Sequence, residues 1–516
     1  MKYHLIKSSG IFGLMTFFSR ILGLVRDMVT AYVFGAGPGY DAFILALRIP
    51  NLMRRLFAEG AFSQAFVPII STYKQQQEHA QVSQFISRVS GALGIVVLSV
   101  SVIGMCGAPL IIKLFAPGFT YGSTKMNLAI DMLRITFPYI FFISLTALIG
   151  SILNAYGRFG AAAFTPIFLN VCMIIASLYC VHLFVVPEKA LAWGVCLGGI
   201  VQFVFLLGFL RRDNLLVWPS LCWQDPGVKK ILTLMAPAIF GASVNQINIM
   251  IDTLFASFLP NGSISWLYYS DRLMEFPLGI FGVGFATVIL PNLSRLHAAK
   301  AKEEFSATLD LGIRCVLIVG IPATLGLYFL AGPLLATLFQ SGKFSVNDVI
   351  MSSHSLMAYA LAVVGIMLSK MLSSAFYACQ NIKTPVRISV VILISNVVLI
   401  SIFIYPLKHA GLALATSLSS ILNAAILLVI LHRKKLYQLQ PGWQLFLLRL
   451  VVANISLCFA IKAVTPSLNE WVIWSTRTRV YWLIPIVVLG ILVYIGVLFM
   501  CGLRLRDLAG SPLPRG

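Results

Sequence analysis

Long apolar segments recur along almost the whole chain and are separated by short polar connections. Each is about 20 residues or longer, the length that an α-helix needs to cross a hydrocarbon core of about 30 Å. The strict alternation of apolar and polar residues that marks outer-membrane β-strands is absent from the sequence. Because a backbone in lipid must satisfy its own hydrogen bonds, the pattern predicts an all-α polytopic membrane protein.

We count fourteen candidate transmembrane spans, near residues 8–36, 40–73, 83–116, 126–157, 161–186, 189–211, 228–259, 263–296, 305–341, 347–379, 385–405, 409–432, 443–465 and 479–503. Several exceed the length that a bilayer requires, so we expect helices that tilt, kink or project from the membrane. Pro50 and Pro68 are expected to interrupt the second span. The eighth span has the same feature, with Pro277 and Pro291.

A weak internal repeat relates the two halves of the chain. Residues 48–71 align with residues 272–294 when one gap is allowed, and residues 154–166 resemble residues 376–385. Each pair joins a span to the span six places later. The repeat predicts two six-helix lobes in the same orientation, followed by two extra C-terminal helices. Parallel repeats of this kind are typical of alternating-access transporters.

The repeat sets the expected domain boundaries, which are 1–212 for the first lobe, 213–227 for a linker, 228–435 for the second lobe and 436–516 for the last two helices with a short tail. The connections are too short to contain a soluble catalytic domain. In the linker, Trp218 and Trp223 lie close to basic residues. This pattern fits a segment lying in the membrane interface, and it fits an ordinary aromatic belt equally well.

Composition excludes a soluble protein, because 59% of residues are hydrophobic, 11% are charged and the mean hydropathy is +0.92. The net charge of +21 comes mostly from basic residues at span ends, which the positive-inside rule explains without nucleic-acid binding. The more basic set of loops is expected to be cytoplasmic, and the even span count then places both termini in the cytoplasm. The nine cysteines stand singly, which predicts neither disulfides nor a zinc site.

Charged residues fall inside three spans where a simple anchor would have none. The first span holds Arg20, Arg26 and Asp27, the second holds Asp41, Arg48, Arg54, Arg55 and Glu59, and the eighth holds Asp271, Arg272 and Glu275. A charge at the bilayer centre costs about 2.5–3.5 kcal/mol on insertion scales, so such residues face a partner or a wet cavity. The planar guanidinium suits phosphate and carboxylate.

We therefore expect Arg20, Arg26 and Arg54 from one half and Arg272 from the other to converge on a cavity for an anion such as a diphosphate. The alternative is that these arginines form salt bridges that hold the bundle together or make a helix insertable. The acids Asp27, Asp41, Glu59, Asp271 and Glu275 are candidate gate or ion-pair residues. Arg20 and Asp27 share a helix face, Glu59 follows Arg55 by four residues, and Glu275 follows Arg272 by three, so each of these three acids has an arginine within reach on its own helix. For Asp41 the two roles stay open.

Asp252, in the seventh span, is a candidate proton or cation site, and Asn396 and Thr416 could add oxygen ligands. Asn and Thr in membrane helices also join neighbouring helices by hydrogen bonds, so each is weak alone. The sequence has no GxSxG, no HExxH and no phosphate-binding glycine loop, so we do not expect an enzyme. No cofactor is expected beyond a coupling ion, Na⁺ or H⁺, or the membrane potential.

Several strings resemble the MurJ (MviN) family of lipid II flippases, which belongs to the MOP exporter superfamily. They are SRILGLVRD at 19–27, DAF at 41–43, PNLMRRLFAEGAFSQAFVP at 50–68, YYSDRLMEFP at 268–277, KTPV at 383–386 and PLKHAGL at 406–412. The resemblance runs nearly from end to end of the chain. RRLFAEGAFSQAFVP is the most distinctive of these strings.

The resemblance implies fourteen helices, with the last two forming a lipid-accessible groove. It implies that undecaprenyl-pyrophosphate-linked peptidoglycan precursor moves from the inner to the outer leaflet of the bacterial cytoplasmic membrane. The family's essential cavity arginines fall on Arg20, Arg26, Arg54 and Arg272, and its essential acid falls on Asp41. Lipid II and membrane lipids are the implied partners, and we expect a monomer near the cell-wall synthesis machinery.

The resemblance also implies a sodium site from the seventh, eleventh and twelfth helices, which Asp252, Asn396 and Thr416 match. A second acid of that site would fall on Ile400, so a proton or the membrane potential alone is the alternative driving force. Two further functions compete with lipid II transport: a flippase for another lipid-linked oligosaccharide, and a MATE-like cation-coupled exporter. A MATE-like exporter would be expected to have acids in its central cavity, whereas this sequence offers arginines. A membrane scaffold would leave the arginines without a role.

Overall fold

The computed structural model describes residues 2–55, 62–76 and 78–503. Within these residues, every regular secondary-structure element is a helix, and turns and loops connect the helices. The all-α prediction is therefore confirmed. In the first half of the chain the α-helices are α1 Lys2–Phe34, α2 Pro38–Arg54, α3 Ser63–Gln76, α4 His79–Cys106, α5 Ala108–Phe115, α6 Thr124–Thr136, α7 Pro138–Ala155, α8 Phe159–Tyr179 and α9 Lys189–Arg212.

The second half continues with α10 Pro226–Ala256, α11 Ser263–Pro277, α12 Val283–Ala298, α13 Lys302–Phe329, α14 Ala331–Phe339, α15 Val346–Ala360, α16 Ala362–Ala378, α17 Lys383–Arg433, α18 Trp443–Val464, α19 Leu468–Ile473 and α20 Thr476–Met500. A 3₁₀ turn, Val181–Leu183, follows α8, and a π-helical turn, Leu278–Gly282, joins α11 to α12.

Four of the longer predicted spans each contain two helices, which confirms the expected kinks there. The third span is α4 and α5, which meet at Gly107, and the fourth is α6 and α7, which meet at Phe137 before a proline. The ninth and tenth spans break in the same way, at Leu330 and Leu361.

Helix lengths repeat between the two halves. The four helices from α4 to α7 have 28, 8, 13 and 18 residues, and the four from α13 to α16 have 28, 9, 15 and 17. Two sequences with little identity thus fold into the same succession of long, short and paired helices. This agreement supports the repeat that the sequence shows only faintly.

The eleventh and twelfth spans form one run of 51 residues, α17, which bends at Lys408. The backbone of Lys408 has φ 50° and ψ −127°, outside the helical region and costly for a residue with a Cβ. The bend falls between the predicted spans 385–405 and 409–432, two residues after Pro406. The sequence therefore located the connection correctly.

In the described part of the chain, nine helical segments are long and apolar enough to cross a membrane. The count of fourteen stays a prediction. Helix α1 is outside this set and carries Arg20, Arg26 and Asp27, while α2 has 17 residues and carries Asp41 and charged residues of its own.

The expected interruptions at Pro50, Pro68 and Pro291 are wrong. Helix α2 continues through Pro50 to Arg54, and Pro68 and Pro291 lie inside α3 and α12. Only Pro277 stands at a break, at the end of α11 before the π-helical turn. Membrane helices tolerate proline because neighbouring groups satisfy the freed carbonyl.

The chain forms two compact units, Met1–Ser265 with Ser341–Phe344, and Trp266–Gln340 with Ser345–Gly516. Helix α10, which the repeat assigns to the second lobe, belongs to the first unit. There Arg48 donates from Nη1 to Thr253 Oγ1 at 2.6 Å, and the Gly118 amide donates to Ser257 Oγ at 3.0 Å. The predicted lobe boundaries follow the repeat and remain predictions.

In the second unit, a buried carboxylate fixes the start of α18 to α13. Asp310 accepts hydrogen bonds from Arg314 Nε at 2.8 Å, from the Tyr437 hydroxyl at 2.7 Å and from Trp443 Nε1 at 2.8 Å. Burial is the larger cause, and the hydrogen bond to Asp310 the second, of a raised pKa of Tyr437. The hydroxyl therefore stays protonated and can donate. The connection between α17 and α18 is therefore held in one position.

A buried arginine fixes the start of α20. Arg479 is 4% exposed, and its guanidinium donates to four backbone carbonyls, those of Ala336, Gln340, Trp471 and Val472, at 2.8–3.1 Å. These carbonyls lie at the C-terminal ends of α14 and α19, where helices leave unsatisfied acceptors and carry partial negative charge. One side chain thus joins three helices.

We predict that Arg479→Ala lowers the free energy of unfolding by on the order of 3 kcal/mol, because the carbonyl acceptors lose a charged donor. The measurement is thermal unfolding of the purified full-length protein in detergent. Arg477→Ala is the matched control, since Arg477 is exposed in the same turn of helix. Equal midpoints for the two variants would contradict this role.

Candidate functional site

The first group of predicted site residues lies on α1, where Arg26 and Asp27 form an ion pair. Arg26 donates from Nε at 3.0 Å and from Nη2 at 2.7 Å to the same oxygen, Asp27 Oδ1. Its Nη1 donates to Asn170 Oδ1 on α8 at 3.1 Å, and Asn170 Nδ2 donates back to the Ser19 carbonyl at 3.2 Å. Arg26 is thus held by its neighbour and by a second helix.

Arg20 differs from Arg26 in its surroundings. Its side chain is exposed, whereas the Arg26 side chain is 11% exposed and the Asp27 side chain 3%. The helical-face argument placed Arg20 with Asp27, but the carboxylate of Asp27 pairs with Arg26. An exposed guanidinium in an apolar helix requires water or an anion.

At the end of α2, Arg54 donates from Nε to Asn51 Oδ1 at 3.3 Å and is half-buried, while Arg55 is exposed. Glu59 lies outside the described residues, so its predicted pairing with Arg55 stays a prediction. Arg54 is the last residue of α2 and Arg55 is its C-cap, four and five residues after Pro50.

Asp41 accepts four hydrogen bonds from three other residues. Its Oδ2 accepts from Lys125 Nζ at 2.8 Å and from the Gly262 amide at 2.8 Å, and its Oδ1 accepts from the amide of Ser265 at 2.9 Å and the hydroxyl at 2.6 Å. The side chain is completely buried. Two donors are amides at the N-terminus of α11, where the helix dipole also favours a negative charge.

Two further contacts lie within the same unit and join its earlier helices to later parts of the chain. Lys125 Nζ also donates to Asn261 Oδ1 at 3.0 Å, and the Lys343 amide donates to the Tyr32 carbonyl at 2.9 Å. The second contact is close: a Cβ added at Gly342 would lie 2.1 Å from the Tyr32 carbonyl oxygen, and Gly342 has φ +58°. Any other residue there would be strained.

Arg272, on α11, belongs to the second unit. Its Nη1 donates to Glu275 Oε2 at 2.8 Å, the i,i+3 pairing that the spacing predicts, and its guanidinium carbon lies 4.8 Å from the centre of the Tyr268 ring. The side chains of Arg272 and Glu275 are 36% and 45% exposed. Asp271, its neighbour, is half-buried. The convergence of Arg272 with the arginines of α1 and α2 stays a prediction.

The residues predicted to bind a coupling ion lie on two helices, Asp252 on α10 and both Asn396 and Thr416 on α17. Asn396 Oδ1 accepts a hydrogen bond from Ser419 Oγ at 3.1 Å, across the bend in α17, and Ile400 is fully buried and supplies no oxygen. Among the described residues, no group of three or more His, Cys, Asp and Glu side chains could hold a metal ion. Asn396 thus serves as a helix-joining residue. A coupling ion at Asp252, Asn396 and Thr416 stays a prediction.

Sequence reasoning missed Lys125, Asn170 and Ser265 as partners of predicted site residues. Lys125 is one of the few basic residues in the sparser set of loops, and a buried acid such as Asp41 requires a cation. Asn170 is an amide in the apolar segment of α8. A search for polar residues inside apolar spans would have found Asn170, whereas Ser265 gives no such signal.

The family model described as lipid II flippase MurJ matches residues 30–481. The chain belongs to this family. A protein of Vibrio cholerae named probable lipid II flippase MurJ is 46% identical over 514 residues, which cover 98% of each chain. One of Haemophilus influenzae with the same name is 43% identical over 96% of this chain and 99% of its own.

A solved structure described as lipid II flippase MurJ in an inward closed conformation matches with a TM-score of 0.80 and 28% identity, over 97% of this chain and 99% of the other. An inward-facing MATE multidrug transporter of the MOP superfamily matches with a TM-score of 0.69 and 15% identity, over 81% of this chain and 94% of the other. The second likeness is one of fold alone. MurJ proteins are flippases, so membership makes the chain a membrane transporter.

We predict that Asp41→Asn destabilises the protein by about 3–5 kcal/mol, because Lys125 would be left as a buried charge without its counter-ion. Thermal unfolding of the purified protein measures this change. Asp131→Asn is the matched control, since Asp131 also pairs with a lysine, Lys189, at 2.9 Å, but with side chains 46% and 30% exposed. The control should change stability by less than about 1 kcal/mol. A variant at position 41 as stable as this control would contradict the prediction.

Proposed function

We propose that this protein flips lipid II from the inner to the outer leaflet of the bacterial cytoplasmic membrane by alternating access, as a transporter and not as an enzyme. The family membership supports the substrate. The observation that carries the mechanism is the presence of Arg20, Arg54 and Arg272 in apolar helices with side chains that are exposed or half-buried. A transporter of a large anion needs such cations, and a scaffold does not.

The guanidinium groups of Arg20, Arg26, Arg54 and Arg272 hold the pyrophosphate in this proposal. Planar, paired N–H donors match phosphate oxygens and keep their charge at every physiological pH. Arg26 contributes in a fixed position, because Asp27 and Asn170 orient it. Arg272 is oriented by Glu275 and by the Tyr268 ring.

Asp41 acts as the outer gate in the proposed cycle. Its carboxylate joins α2 to the N-terminus of α11 and to Lys125. Lys125 belongs to the less basic set of loops, which we expect on the outer side of the membrane. Release of the headgroup to the outer leaflet requires these hydrogen bonds to break. Because four donors hold one buried carboxylate, the closed gate is stable until substrate binding favours the other state.

The polyprenyl tail remains in lipid beside the last two helices. Asp310 fixes the start of α18 and Arg479 fixes the start of α20, so the pair is anchored to its own unit at both connections. The outward faces of these helices are apolar and exposed, and include Val451, Ile455, Phe459, Ile484 and Leu492. In this proposal, a fixed apolar surface guides the tail while the headgroup crosses.

The membrane potential or a proton resets the cycle in this proposal. The lack of an oxygen ligand at Ile400 argues against a complete sodium site. The proposal further places both termini in the cytoplasm, on the side of the more basic loops. It describes a monomer acting close to the cell-wall synthesis machinery, with no nucleic-acid partner.

We predict that replacing Arg20 or Arg272 singly with Ala lowers lipid II export by about tenfold or more, because each loses a charged hydrogen bond of about 1.5–3 kcal/mol to the pyrophosphate. The assay depletes the native protein from cells and measures how much labelled lipid II an external toxin can cleave. Protected lipid II indicates that export has failed.

Arg433→Ala is the matched control for both variants, since Arg433 is exposed in the last turn of α17. It should leave cleavage by the toxin unchanged. Variants of Arg20 and Arg272 that fold, reach the membrane and export lipid II at the control's rate would contradict the proposed pyrophosphate site.

We predict that transport by the reconstituted protein does not depend on sodium. In proteoliposomes with lipid II, replacing Na⁺ by K⁺ should leave the transport rate unchanged, while collapsing the proton gradient and the membrane potential should stop it. A rate that falls without Na⁺ and loses that dependence in Asp252→Asn would restore the sodium site and overturn this part of the proposal.

A further inference from the structure

An apolar groove with a volume of about 340 Å³ lies in the first unit, and its lining includes none of the residues of the proposed transport site. Helices α4, α7 and α9 form its sides, and part of the 213–227 linker forms a wall at one end. Its lining side chains are almost all hydrocarbon and include Ile86, Leu98, Phe141, Leu148, Phe203 and Leu210. This volume falls within the range of small-ligand sites in proteins, about 300–1,000 Å³.

The linker is fixed against α4. Ser87 Oγ donates to the Trp218 carbonyl at 2.5 Å, and the Ser220 amide donates to the Ser87 carbonyl at 3.0 Å. At Gly91 a Cβ would lie 2.2 Å from the Ser220 carbonyl oxygen, so this approach requires glycine. Leu215 and other linker side chains then complete the groove wall.

An ion pair secures the far end of the linker. Arg88 Nη1 lies 2.5 Å from Asp225 Oδ2. Burial alone would raise the pKa of Asp225, but the hydrogen bonds from Arg88 and two backbone amides outweigh it and hold the pKa below its usual value. The carboxylate is therefore charged at neutral pH, and its stabilising contribution is lost only when the pH falls through this lowered pKa.

The linker exposes apolar side chains. Trp218, which does not line the groove, is 92% exposed, and Leu216 and Leu221, which do line it, are 50% and 55% exposed. Side chains of this kind at the end of membrane-spanning helices lie in the headgroup region of the bilayer. The exposure therefore favours the interfacial interpretation of the linker, and the groove behind it opens toward lipid.

Positive charge surrounds this end of the groove. Arg211 and Arg212 directly follow the lining residue Leu210, and Lys229 and Lys230 follow the linker; all four are exposed. The two acids of the linker already have partners, since Asp213 pairs with Arg158 at 2.6 Å and Asp225 with Arg88. The available charge is positive and complements an anionic lipid headgroup.

The length of the groove matches one leaflet. On α4 its lining runs from Ile86 to Leu98, which is about 18 Å at the rise of an α-helix. Half of a hydrocarbon core of about 30 Å is about 15 Å. A single fatty-acyl chain whose headgroup stays at the interface would fill this length.

We propose that the groove binds one acyl chain of an anionic phospholipid, with the headgroup on Arg211 and Arg212. The lipid would complete the packing between α4, α7, α9 and the linker. This site is separate from the proposed pyrophosphate site, and only its assignment to the cytoplasmic leaflet relies on the proposed orientation.

The test uses full-length protein in nanodiscs that contain phosphatidylglycerol with a photoactivatable diazirine on its acyl chain. Irradiation followed by peptide mapping should place the label on groove-lining segments of α4, α7 and α9. Gly94 lines the groove, and a Cβ added there meets no atom within 4 Å, so Gly94→Phe introduces a large side chain at the groove wall. It should reduce this labelling several-fold.

Gly208→Phe is the matched control. Gly208 also has no atom within 4 Å of an added Cβ, is exposed on α9 and does not line the groove. This variant should label like the wild type. A second variant, with both Arg211→Glu and Arg212→Glu, should reduce labelling by about fivefold per arginine with phosphatidylglycerol and leave it unchanged with a phosphatidylcholine probe.

Three outcomes would overturn the proposal. Labelling in Gly94→Phe equal to that in Gly208→Phe would show that the chain does not occupy the groove. Equal labelling by the anionic and zwitterionic probes would contradict the proposed contact of the headgroup with Arg211 and Arg212. Loss of the label on addition of equimolar undecaprenyl phosphate, but not of unlabelled phosphatidylglycerol, would assign the groove to a polyprenyl chain instead.

Discussion

The cost of placing a guanidinium in an apolar helix is the constraint on which the rest of this protein depends. Each arginine in α1, α2 and α11 must meet an acid, an amide, an aromatic face or an anionic ligand. Arg26 meets Asp27 and Asn170, and Arg272 meets Glu275 and the Tyr268 ring. Arg20 is exposed, so the demand for an anion is greatest there. A substrate with a pyrophosphate satisfies that demand, and a cationic drug does not.

In the part of the chain that the structure describes, Asp41, Asp310 and Arg479 are buried charges held by several hydrogen bonds each. Asp41 accepts hydrogen bonds from a lysine, two backbone amides and a hydroxyl, and Arg479 donates hydrogen bonds to four backbone carbonyls at helix ends. Asp310 accepts hydrogen bonds from three donors and holds the start of α18, the first helix of the last pair. Arg479 and Asp310 stabilise one arrangement of the last helix pair, whereas the hydrogen bonds of Asp41 must break in the proposed transport cycle.

The sequence predicted the helical class, the repeat, the position of the bend near Lys408 and the Arg272–Glu275 pair, because periodicity and local spacing determine these features. It did not predict that Asp41 would meet Lys125 and Ser265, which are distant along the chain. Nor did it reveal that Arg479, the first residue of the last predicted span, would be buried. Such contacts depend on tertiary packing, which a hydropathy pattern does not encode. The sequence also predicted an interruption at Pro50 that the structure does not have, since α2 continues through this residue.

The most direct test of the account is a cryo-electron microscopy structure of the full-length protein with lipid II in nanodiscs. The account predicts pyrophosphate density within hydrogen-bonding distance, about 2.7–3.2 Å, of the guanidinium groups of both Arg20 and Arg272 in one chamber. Density for the headgroup at another site, with Arg272 facing lipid or bulk water far from Arg20, would contradict a pyrophosphate site shared by the two halves of the chain.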